Sequence, residues 1–74
     1  MATLGDPSRA ADLYRTVLRL VPSHYGAQYQ LAVALLASGR EREARAAWRA
    51  FVPMAEAIGD RASIDGAPER LRRP

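Results

Sequence analysis

Apolar residues recur at helical spacing in three successive stretches of the chain, and each stretch is closed by a residue that stops a helix. In the first, Ala10, Leu13, Tyr14, Val17 and Leu18, with Val21, place an apolar face on one helix. Asp6 and Pro7 open it, Asp as an N-cap and Pro at the first helical position, where its missing N–H has no partner to lose. Pro22 ends it near Leu20, because the residue before a proline is pushed out of the α region. In the second stretch Ala27, Leu31, Ala34 and Leu35 form the main stripe, and Tyr25, Tyr29, Val33 and Leu36 continue apolar surface round the cylinder. A helix apolar over so much of its circumference needs neighbours on two sides. Ser23 is its expected N-cap and Gly39 its stop. Gly26, in the first turn, reads equally as a close helix–helix approach or as plain tolerance.

The third stretch begins about Arg40. Glu41 and Glu43 lie in its first turn, where the helix dipole favours acids. Ala44, Ala47, Trp48, Phe51, Val52, Ala55 and Ile58 make its stripe, and Gly59 stops it. Pro53 falls inside the stripe, removes one backbone hydrogen bond and clashes one turn back, which predicts a kink or break near Arg49 to Val52. Asp60 is placed to cap a short fourth helix through Ile64, interrupted by Gly66 and Pro68. Leu71 is the last apolar residue, and Arg70 to Pro74 reads as a loose basic tail. On the surfaces, Asp12 lies between Arg9 and Arg15, and Glu41 precedes Arg45 by one turn in the favourable orientation. No alternating β-branched run appears, so the fold class is all-α.

The first and third stretches are versions of one pattern. A shift of 34 residues carries Gly5 onto Gly39, Ala10 onto Ala44, Tyr14 onto Trp48, Arg15 onto Arg49, Val17 onto Phe51 and Leu18 onto Val52. A fixed offset of that length is the signature of a helical repeat array. With Leu31 and Ala32 at the first-helix Leu and small positions, Ala44 and Trp48 at the second-helix alanine and aromatic, and Ala10, Tyr14, Val17 and Pro22 at the corresponding earlier places, the chain resembles a tetratricopeptide repeat protein. The resemblance implies antiparallel helix pairs: residues 6–22 as the second helix of a first repeat, 23–58 as a full repeat, and 59–74 as a terminal helix remnant with a basic tail. Gln28 stands where the first-helix aromatic is usual, Phe51 replaces a small residue and needs a wider gap, and Glu56 takes the place of the closing proline.

The resemblance also implies a function and its surfaces. The first helix of each such repeat lines a concave groove, which puts Tyr29, Val33 and Leu36 on or near it, a lining suited to an apolar or amphipathic peptide. The subset of the family that grips a terminal carboxylate uses Lys, Asn and Arg there; Tyr29, Gln30 and Val33 do not reproduce that set. Helix one has the sequence of a second helix with no first helix before it, so its open face, carrying Tyr14 and Leu18, is expected to be covered by another copy of the chain or by a partner.

Composition narrows the picture further. The 74 residues allow one small domain. Apolar burial in so short a chain roughly cancels an ordering cost of about 1.5 kcal/mol per residue, so association would supply what the core lacks. There is no cysteine, hence no disulfide or thiolate metal site. The net charge is +3 and every basic residue is Arg. Arg42, Arg45 and Arg49 share a helix face, but Glu41 and Glu43 partly neutralise it, so a solvated face is the reading and nucleic-acid or other acidic-partner binding the alternative. The longest apolar run, Leu31 to Ala37, is far short of the ~20 residues that span a bilayer. No signal peptide is evident, and the expected location is cytoplasmic, for a whole chain or a regulatory segment of a larger enzyme.

Candidate chemistry is sparse. His24 is the only histidine and is read as structural or merely exposed. Ser8, Ser23, Ser38 and Ser63 have no His and acid patterned around them as a triad, and Glu41 and Glu43 diverge around their helix. Gly59 and Gly66 lack the setting of a phosphate loop. The expectation is a non-enzymatic protein–protein interaction module with no catalytic residue, no metal and no cofactor, self-associating or holding a polypeptide partner.

Overall fold

A computed structural model describes residues 6–73, all helix and connection. The helices are α1 (Pro7–Leu20), α2 (Tyr25–Ala37), α3 (Glu41–Ala57), α4 (Arg61–Asp65) and α5 (Glu69–Arg72). Among the described residues there is no strand. The fold is an all-α helical repeat fragment. α2 is central and packs against both α1 and α3, while α4 and α5 pack on α3. The shortest dimension, 19 Å, is about two helix diameters, so no helix is surrounded on all sides.

Local signals set most of the boundaries. Asp6 caps α1, its Oδ1 accepting from the N–H groups of Ser8 (3.1 Å) and Arg9 (3.4 Å), with Pro7 next to it. Gly39 and Gly59 both lie in the left-handed region, at φ 86° and 75°. Each completes the same terminating motif. The Gly39 N–H donates to the Leu36 carbonyl and the Arg40 N–H to that of Leu35; the Gly59 N–H donates to Glu56 and the Asp60 N–H to Ala55. In both cases the residue after the glycine is already the N-cap of the next helix, Arg40 for α3 and Asp60 for α4. The chain therefore turns from helix to helix with almost no loop.

The core is built of Ala11 on α1, Leu31, Ala32, Ala34 and Leu35 on α2, Ala44, Ala47, Trp48, Phe51 and Ala55 on α3, and Ala67 and Leu71 beyond them. So many alanines let the helices approach closely. The bulk comes from an aromatic cluster at the α2–α3 seam: the Phe51 ring lies 6.0 Å from that of Tyr25, 5.2 Å from Tyr29 and 5.3 Å from Trp48. Such pairs contribute beyond their buried area. Phe51 is fully buried. Gln28, in place of an aromatic, donates from Nε2 to the Ala47 carbonyl at 2.9 Å, one turn from Phe51. Aromatic mass missing from α2 at position 28 is thus supplied from α3 at position 51.

Four local expectations are corrected. His24, not Ser23, caps α2: its Nδ1 accepts from the Ala27 N–H at 3.0 Å, and the turn is set one residue later by a bond from the His24 N–H to the Val21 carbonyl. Gly26 marks no close approach of helices, since a side chain there would meet only the His24 ring, at 3.3 Å. Of the expected kink or break at Pro53, the break is ruled out, since α3 runs on to Ala57. Pro53 and Arg49 are on the exposed side of α3, while fully buried Phe51 and Ala55 hold both sides of the proline to the core. The basic tail is not loose through Arg73. α5 folds back on α3, buries Leu71 to 2 % exposure, and is tied by Arg70 to Glu41 (2.9 Å) and by Arg45 Nη2 to the Arg73 carbonyl (2.6 Å). Pro74 lies outside the described residues.

Candidate interaction surfaces

α1 and α2 leave a groove of about 240 Å³ between them, lined by Ala10 and Tyr14 from α1 and by Gln30, Val33 and Ala37 from α2, with Asp6 and Pro7 at one end. Two residues expected on different surfaces therefore meet here: Val33, expected to touch a partner, and Tyr14, expected to self-associate. Tyr29 and Leu36 are half-buried and pack on the core; the Tyr29 ring stands edge-on to Trp48 at 6.3 Å and tilted to Phe51. Tyr29 thus faces α3, and neither residue lines that groove.

The apolar surface of α1 extends beyond the two residues expected on it. Tyr14 and Leu18 are half-buried and packed against the core. The large apolar side chains that water reaches are Leu13 (67 % exposed) and Leu20 (78 %), with Val21 at the helix end. Val17 lies between them at i+4 from Leu13 and is half-buried. A shallow depression beside Leu13 is edged by Arg9 and Asp12. The polar side of α1 is occupied within the fold: Arg15 reaches Glu43 on α3 at 2.7 Å, and the Thr16 hydroxyl donates to the Asp12 carbonyl.

A third surface was not anticipated as a groove. Between α3 and the returning C-terminal segment lies a depression of about 510 Å³. Its rim carries Arg45, Arg49, Arg72 and Arg73, and its floor is Trp48, Val52, Pro53 and Leu71. It exists because Leu71 docks on α3, a tertiary event that a lone leucine between arginines does not announce.

The polar groups do structural work. The Asp60 carboxylate accepts from the Ser63 hydroxyl (2.7 Å) and the Ser63 N–H (3.1 Å), and these bonds hold it below the usual aspartate range against the opposing effect of burial, with the Tyr25 hydroxyl the least of the contributions. Tyr25 is pushed above the usual tyrosine range, first by its hydrogen bond to Asp60, then by that group's negative charge, then by burial. The start of α4 is thereby tied to the start of α2. Among the described residues no group of three or more His, Cys, Asp or Glu is placed to hold a metal ion, and no described helix is long and apolar enough to cross a membrane.

No curated protein matches the chain, and no solved structure does. A family model, that of the tetratricopeptide repeat, matches residues 2–50. That span takes in α1, α2 and the first ten residues of α3, and stops just before Phe51 and Pro53, which depart from the repeat pattern. The 34-residue offset, the helix pairs with Ala44 and Trp48 at their seam, and a family match over well over half of the sequence agree, and the chain belongs to the tetratricopeptide repeat family.

Proposed function

We propose that the chain is a polypeptide-binding module with no chemistry of its own, built of half a repeat (residues 6–22), a full repeat (23–58) and a capping segment (59–74). The observation that carries this reading is the open surface of α1 and α2: a groove with Tyr14 and Val33 on facing walls, and exposed Leu13 and Leu20 elsewhere on α1. Exposed large apolar side chains grouped on one element are the usual mark of a binding face. Tyr29, held by its ring contacts with Trp48 and Phe51, and Leu36, packed on the core, back α2 beside the groove. Tyr14 and Leu18 anchor α1, so that Leu13, Val17 and Leu20 are presented outward to a second copy of the chain.

Selection from a displayed peptide library tests the binding half of the proposal. Enriched peptides should carry apolar residues at regular spacing, and Val33→Asp, at a half-buried groove position, should weaken them by about tenfold or more, in line with loss of an interface anchor. Enrichment of nothing, or of peptides indifferent to Val33→Asp and to Tyr14→Ala, would contradict it.

A further inference from the structure

The geometry points to the groove between α3 and α5 as a second docking site, for an acidic amphipathic peptide. Its rim bears four arginines and, among the described residues, no acid, so charge of one sign gathers at this one depression. Arg42 extends the track beyond Arg45 and Arg49, and the acid nearest it there, Glu41, is bonded to Arg70. Arg49 is exposed, and a carboxylate on a bound helix can take bidentate contacts from its guanidinium, while Arg45, one helical turn away and bonded to the Arg73 carbonyl, adds positive charge beside a second carboxylate one turn along.

The floor decides between acidic ligands. Trp48, Val52 and Leu71 present carbon to the middle of the groove. An apolar side chain between two carboxylates would cover that floor and complete the surface; a phosphate backbone would leave it wet. Bases of a single strand would need an exposed ring to stack on. Trp48 is only 6 % exposed and serves the core with one edge to the groove. The occupant that meets both rim and floor is a peptide with acids on one face and leucines or similar residues on the other. This surface is separate from the α1–α2 groove and does not depend on that reading.

Trp48 is the only tryptophan of the chain, which makes its fluorescence a local reporter. The probe is a blocked helical peptide with glutamates one turn apart and a leucine between them. Its titration into the full chain should change Trp48 emission, move amide resonances on α3 and α5, and weaken as salt is raised. Arg49→Glu should lower the affinity about tenfold, whereas Arg9→Glu, the same charge change on α1, should not. Arg49 is exposed and joins no element to another in the described residues, and circular dichroism checks that its variants fold; Arg49→Gln serves if the charge reversal does not. The inference is overturned by absence of binding, by resonance shifts confined to α1 and α2, by equal losses from Arg49→Glu and Arg9→Glu, or by a single-stranded oligonucleotide that displaces the peptide. Shifts on α1 and α2 would leave the first groove's reading standing.

Discussion

Trp48 shows how one residue serves both stability and surface. Its indole packs on Phe51 and Tyr29, and the same side chain forms the floor of the Arg-rimmed groove. Trp48→Ala should cost about 3–5 kcal/mol in urea unfolding, the range for a buried aromatic. A loss within experimental error would mean that the indole is a contact residue and not core. His24 is the second informative residue. With Nδ1 accepting the Ala27 N–H, the ring is an N-cap in the manner of Asn or Ser. His24→Ala should lower stability by about 1 kcal/mol, and His24→Asn should recover most of that in the same melts. Equal losses in the two variants would show that the ring packs and does not cap.

At the scale of elements, what was legible in the sequence was what is local. Asp6, Gly39, Gly59 and Asp60 each act on the backbone within a few residues, and each lies at the boundary that its chemistry specifies. Ser23 lost to His24 because the turn after Pro22 closes one residue later than the serine needs. The uninterrupted α3 depended on which way Pro53 faces, a fact of packing. The return of α5 depended on Leu71 finding α3, again at long range. On α1 the apolar arc from Ala10 to Leu18 is wide, and the sequence does not say which edge meets α2. The structure packs the half-buried Tyr14 and Leu18 against the core and leaves Leu13 and Leu20 open. The tie between α4 and α2 yields a pH test. Asp60 is held below its ordinary range, so its contribution is present above that range and lost as pH falls through the depressed value; Tyr25 is raised, so its contribution is present below the ordinary tyrosine range and lost as pH climbs through the raised one. The stability difference between wild type and Asp60→Ala should therefore be largest near neutral pH and shrink in acid. A difference that does not change with pH would show that the Ser63 and Tyr25 bonds are not holding the charged form.

For the whole molecule the decisive fact is proportion. A chain of this length gains little surplus from its core, and most of its buried residues are alanines, with Phe51, Leu35 and Leu71 the largest side chains fully enclosed among the described residues. The surface ion pairs Arg15–Glu43 and Arg70–Glu41 join elements distant in sequence but are exposed and contribute about 0–1 kcal/mol each. Burial of Leu13, Val17 and Leu20 against a second copy would add what the single copy lacks, at about 25 cal/mol per Å² of apolar surface removed from water. Family membership and the helical architecture are those of a tetratricopeptide repeat; the proposed function lies in the open faces.

Solution mass as a function of concentration, by sedimentation at low and high salt, tests that most directly. The account predicts a dimer or larger assembly that persists at high salt and that Leu13→Asp converts to a folded monomer. A wild-type chain that stays a stable monomer at every concentration, indistinguishable from Leu13→Asp, would contradict it.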